Sequence, residues 1–172
     1  MKPSIRVVAL LSVWLVFSTA QVFAVPPTIV YIDFSGTAFT LPASAGFCPF
    51  DIYEKPVGNK EKIATFYGQA GEVKFQIITG VNKWSFTNLS TGKTVVFNAS
   101  GPATFTVQPG SNLVLAEGGG VSFYYIPNPP PGIPKLALTT GRVVAELDPT
   151  TFVVTNLITH NGTIQDICAL LQ

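Results

Sequence analysis

From Thr28 onward the chain is a nearly unbroken succession of short β-branched and aromatic runs separated by turn residues. That pattern constrains the fold more than any other feature. The run Thr28-Ile29-Val30-Tyr31-Ile32-Asp33-Phe34 opens the series, with residues that suit a pleated, half-buried surface. Further strands are expected at 47–54, 61–67, 72–79, 82–89, 93–99, 103–107, 112–116, 121–126, 135–139, 142–148 and 151–159. Between them stand turn markers: Gly58-Asn59, Gly68, Gly80, Thr91-Gly92, Pro109-Gly110, Gly118-Gly119-Gly120, Asp148-Pro149 and Asn161-Gly162, residues that supply positive φ or preset a turn. A spacing of about 8–12 residues suits an all-β sandwich or barrel. Only Thr163 to Leu171 leaves room for a turn or two of helix. With no repeat and no linker visible, residues 25–172 are expected to form a single antiparallel β-sandwich or barrel-like domain.

One hairpin can be read in detail. Asn82, Trp84, Phe86 and Asn88 alternate onto one face of their strand, opposite Lys83, Ser85, Thr87 and Leu89. Ser90-Thr91-Gly92 turns the chain, and a register setting Trp84 and Phe86 against Val95 and Phe97 would bury four large apolar groups together. Further on, Pro127-Asn128-Pro129-Pro130-Pro131-Gly132-Ile133-Pro134 holds five prolines in eight residues. It cannot donate to a ladder, so it is expected to be a polyproline-like crossing between two sheet regions, a stiff loop covering a sheet edge being favoured over a peptide-recognition role.

Residues 1–24 have the features of a cleaved signal peptide. Lys2 and Arg6 precede the apolar run Val7 to Phe17, and two small-residue cleavage patterns follow, ending at Ala20 and at Ala24. Cleavage after Ala24 is the preferred reading. An uncleaved anchor fits less well, since the run falls short of about 18–20 residues. No stable membrane insertion is expected after cleavage, and the mature protein is expected to be extracellular. Loss of Lys2 and Arg6 takes ten basic side chains to eight against nine acidic ones, turning the net charge from +1 to −1. Cys48 and Cys168 are the only cysteines, and an oxidising compartment would join them. A bridge closing a loop of about 120 residues stabilises by roughly 4–5 kcal/mol in the chain-entropy model.

Composition excludes several functions. At 47% hydrophobic and 11% charged, the 172-residue chain is too apolar for disorder and too short for several domains. Its near-zero net charge and scattered lysines argue against nucleic acid. The single histidine, His160, stands beside a turn without a nucleophile motif, so no catalytic residue is assigned. No metal or cofactor is expected, because the two cysteines are taken by the bridge and the acids Asp33, Asp51, Glu54, Glu72, Glu117, Glu146, Asp148 and Asp166 are scattered. A distant carboxylate pair converging in space would make a small glycan hydrolase, which is the alternative reading.

Aromatic side chains are the remaining functional material. Phe123 and Tyr125 share one strand face and Tyr124 the other. These three rings are candidates for stacking on a sugar, set against the simpler expectation that they fill the core. Three N-glycosylation sequons begin at Asn88, Asn98 and Asn161 and matter only in a host that uses them.

Several segments resemble small secreted β-rich bacterial proteins of the actinobacterial type. They are Asn88-Leu89-Ser90-Thr91-Gly92-Lys93-Thr94, Ser100-Gly101-Pro102-Ala103-Thr104, Thr140-Gly141-Arg142-Val143-Val144 and the closing Asp166-Ile167-Cys168-Ala169-Leu170-Leu171. The resemblance spans about the last two-thirds of the mature chain. It implies export, a β-rich fold and a bridged C-terminal cysteine, and it carries no assigned activity. From the strand pattern and the lack of a catalytic constellation, the expectation is a secreted, non-enzymatic binding or cell-envelope-associated protein, with a polysaccharide or envelope component as partner. A purely structural interaction module is the third reading.

Overall fold

A computed structural model describes residues 25–107 and 114–172. The expected signal peptide at 1–24, the Pro109-Gly110 turn and the start of the 112–116 strand lie outside them. The described chain is all-β and mostly antiparallel, in two sheets with no closed barrel. In chain order the strands are β1 (Thr28–Ile32), β2 (Phe39–Leu41), β3 (Ile52–Tyr67), β4 (Val73–Asn88), β5 (Thr94–Asn98) and β6 (Ala103–Val107). There follow β7 (Val114–Gly118), β8 (Val121–Tyr125), β9 (Leu136–Thr140), β10 (Arg142–Leu147), β11 (Val154–Asn161), β12 (Ile164–Asp166) and the single helical turn α1 (Ile167–Leu170).

The large sheet runs β1-β3-β4-β6-β7-β10-β11, with β2 added to β3 and β5 added to β4. The small sheet runs β12-β9-β8. Its alternate side chains belong to two different cores. On one face Phe123, Tyr125, Leu136 and Leu138 pack with Ile52, Phe86 and Phe97 of β3, β4 and β5, and with Ile167 and Leu171. On the other face Tyr124, Ala137 and Ile164 pack with Ala116, Val143, Ala145, Leu147 and Val154 of β7, β10 and β11. The small sheet is thus the filling between two lobes of the large one. Four consecutive β9 residues, Leu136 to Thr139, are buried for that reason, since a strand covered on both faces has no solvent side.

The long β3–β4 hairpin joins the lobes. Its proximal half pairs with β2 and β5 and its distal half with β1 and β6. The sequence markers Gly58-Asn59 and Gly80, expected as turns, lie inside these strands. Gly58 follows a bulge at which the register slips between Pro56 and Gly58, and such an extra residue bends a strand without ending it. Gly80 has φ +139°, and a Cβ there would stand 2.2 Å from the Lys60 carbonyl oxygen. Only glycine lets β3 and β4 approach so closely at the bend.

The hairpin register is as expected: Trp84 lies opposite Phe97 and Phe86 opposite Val95. Two expectations change. The proposed strand 47–54 begins only at Ile52; before it, the 3-10 turn Ala43–Ala45 and a series of bends carry Cys48. Asp51 holds that turn by accepting the Ala43 amide at 2.7 Å. The Pro-rich segment 127–134 does not cross between sheets. It joins β8 to β9, which are paired neighbours in the small sheet, and Ile126 donates to the Lys135 carbonyl at 2.7 Å to close the loop. Cys48 and Cys168 form the disulfide, with Cα atoms 5.5 Å apart, and tie the β2–β3 connection to α1.

Candidate functional site

At the hairpin bend, alternation along β3 brings Asn59 and Glu61 to the inner face, and β4 sets Asn82 directly opposite Asn59. The flanking Lys60 and Lys62 point outward and are exposed. Asn59 and Glu61 are 6% and 9% exposed, so this is a buried polar cluster inside a β protein. Its hydrogen bonds form a chain. The Trp84 indole N–H and the Asn59 amide, the latter at 3.2 Å, both donate to Asn82 Oδ1. Asn82 and Asn59 also hydrogen-bond the Glu61 carboxylate. Ser100 fixes the backbone by accepting the Asn82 amide N–H at 2.9 Å.

Two features of the cluster are left unsatisfied. Asn59 Oδ1 is buried without a partner. Glu61 has no cation: the one ion pair among the described residues joins Arg142 and Glu117 at 2.7 Å on the surface. Burial pushes the Glu61 carboxyl above its ordinary range, opposed by the Asn82 and Asn59 hydrogen bonds.

A cleft of about 200 Å³ opens beside this cluster. Glu61 and Asn82 line it together with the small residues Ala99 and Gly101 of the β5–β6 link and Ala103 of β6. Ile78, Phe105, Ser122, Phe123 and Tyr124 complete the lining. The cleft lies where the two lobes part over β8, the edge strand of the small sheet. It is smaller than the roughly 300–1,000 Å³ of drug-sized sites, a size that suits one ring or a chain end. Its chemistry, a few polar groups among aromatic walls, is that of a small-molecule site.

The candidate stacking residues divide. Phe123 and Tyr124 border the cleft. Phe123 is wedged edge-on against Trp84, Phe86 and Tyr125 at centroid distances of 5.8, 5.2 and 6.1 Å, so it forms a wall and not a free platform. Tyr125 is not in the cleft lining; it packs against the first core, where its hydroxyl donates to Glu54. Of the sequon asparagines, Asn98 and Asn161 are exposed, whereas Asn88 is 2% exposed. His160 lies on exposed β11 and not in a turn.

Glu61, between Lys60 and Lys62, is not among the acids singled out from the sequence. The usable signal was the two-residue period, which puts Glu61 on the face of Asn59 and Ile63 and both lysines on the other. Glu54 shares that inner face, but seven residues of strand place it roughly 20 Å away. That distance exceeds the ~5–9.5 Å of paired glycosidase carboxylates, and Glu61 is the only carboxylate lining the cleft among the described residues. No group of three or more His, Cys, Asp or Glu side chains is placed to hold a metal ion among the described residues. No helix among them is long and apolar enough to cross a membrane. Compared with protein-family models, with the sequences of characterised proteins and with solved structures, the chain matches none.

Proposed function

We propose that this chain is an exported, non-enzymatic binding protein that takes a sugar unit of a polysaccharide or envelope glycan into the cleft beside Glu61. The observation that carries the reading is the polar pair Glu61 and Asn82 set on one lining with the rings of Phe105, Phe123 and Tyr124. A pyranose presents hydroxyl donors on its rim and an apolar C–H face, which are the complements of that pair and those rings. Export is supported by the charged-then-apolar leader ending in small residues and by the paired cysteines. A single carboxylate in the cleft favours binding over hydrolysis.

Retention on insoluble glycans tests the reading. The secreted protein should be held by at least one of chitin, cellulose, xylan or peptidoglycan. Ala103→Leu, which fills the cleft from β6, should elute with the void while melting at the wild-type temperature. Absence of retention on every glycan, or undiminished retention of Ala103→Leu, would sink it.

A further inference from the structure

We infer that the cleft selects a sugar carrying a free amino group, a hexosamine unit whose ammonium sits against Glu61. This deepens the glycan reading and rests on it. Three separate observations converge on a cationic donor. First, Glu61 is a carboxylate 9% exposed with no basic side chain paired to it. A buried carboxylate lacking a cation is costly, and a ligand ammonium would supply the missing partner. Second, the Trp84 indole and Asn59 amide donors are already committed to Asn82 Oδ1 and are not free to meet an anionic ligand. On the cleft lining the Glu61 carboxylate stands beside the Ser122 and Tyr124 hydroxyls with no cation, a set that accepts from an ammonium and hydroxyls and repels a carboxylate, a sulfate or a phosphate. Third, Phe105, Phe123 and Tyr124 line the same cleft, and aromatic faces attract an ammonium while also covering the C–H face of the ring.

The flanking lysines do not cancel this preference. Lys60 and Lys62 alternate with Glu61 and project from the opposite face of β3. Beside the cleft, the neighbouring strand positions on β4 and β6 are Ile78, Gly80, Asn82, Ala103 and Phe105, all uncharged. Glu61 is the sole charge on the lining.

Calorimetry with three matched probes tests the inference: the glucosamine tetramer, the N-acetylglucosamine tetramer and cellotetraose. The glucosamine tetramer should bind about ten- to a hundred-fold more tightly than the other two, as a charge-assisted hydrogen bond gained in a buried site implies. Glu61→Gln keeps the shape and removes the charge, and should bring the three affinities together. Should that variant fail to fold, the comparison of free and acetylated amine on the wild-type protein still decides. Equal affinity for all three probes, or a preference unchanged in Glu61→Gln, overturns the amino-group inference and leaves the sugar site standing. No binding of any probe or insoluble glycan overturns both.

Discussion

The hydroxyl of Tyr125 donates to the carboxyl of Glu54 between the small sheet and the first lobe, in a space closed to solvent. Phe39 and Phe86 flank Glu54 from the neighbouring strands, and its other oxygen has no partner. Burial pushes the Glu54 carboxyl from 4.5 up to about 7, against the smaller opposing effect of the Tyr125 hydrogen bond. Burial, and then the carboxylate beside it, pushes the Tyr125 phenol upward as well. Both groups are therefore held towards their neutral forms.

A pH dependence of stability follows. The folded state holds the Glu54 proton more tightly than the unfolded chain, so Glu54 stabilises most below about pH 4.5. That contribution is lost as pH rises towards about 7 and stays lost above it. A carboxyl raised by this amount is worth roughly 3 kcal/mol across the window. Urea unfolding from pH 4.5 to 8 should show stability falling relative to Glu54→Gln, which cannot ionise. Parallel profiles for the two proteins would contradict this.

The Cys48–Cys168 bridge closes a span of 120 residues. Its removal should cost roughly 4–5 kcal/mol on the chain-entropy account, with α1 and the bends before β3 released first. Intact mass should rise by two hydrogens on reduction. Denaturation of the Cys48→Ala, Cys168→Ala double variant should show a midpoint well below wild type. A mass unchanged by reduction would mean that the thiols are free.

Asn88 ties the β4–β5 turn to the C-terminus. Its amide donates to the Leu171 carbonyl at 3.2 Å, and its oxygen accepts the Ser90 and Thr91 amides at 2.8 and 3.4 Å. Asn88→Ala should destabilise by about 2 kcal/mol, because buried backbone groups lose their partner. In a host that glycosylates at this motif, folded protein should carry sugar on Asn98 or Asn161 and none on Asn88. Glycopeptide mapping that finds Asn88 occupied in soluble protein would refute the assignment.

Glycine substitutions separate a bend from a turn. Gly80→Ala forces a Cβ into the Lys60 carbonyl at a strand position with φ +139°, and should cost more than about 2 kcal/mol. Gly92→Ala has a positive φ of 75° but open space around it, so about 1 kcal/mol is expected. Thermal melts of the two variants give the comparison, and equal losses would refute the close-approach argument.

Much of the architecture was legible before any coordinates. The Trp84–Phe97 and Phe86–Val95 pairing could be read because two-residue alternation and the Thr91-Gly92 turn are local properties. The bend at Gly58 and Gly80 could not, since a glycine that ends a strand and one that lets two strands touch look alike in one dimension. The Pro-rich segment gave the same ambiguity. A chain without ladder donors spans a gap equally well within a sheet or between sheets.

The sequence by itself determined the all-β class, the cysteine pair and the Trp84–Phe86 core, because each depends on short-range periodicity or on a count. Tertiary structure alone decided that the β12-β9-β8 sheet is covered on both faces and that Glu54 is sealed beneath Tyr125. It alone placed Glu61 in a cleft with Phe123 and Tyr124. The last two outcomes require residues more than 60 positions apart to share a volume, and the cost of burying a carboxyl depends on what that volume contains.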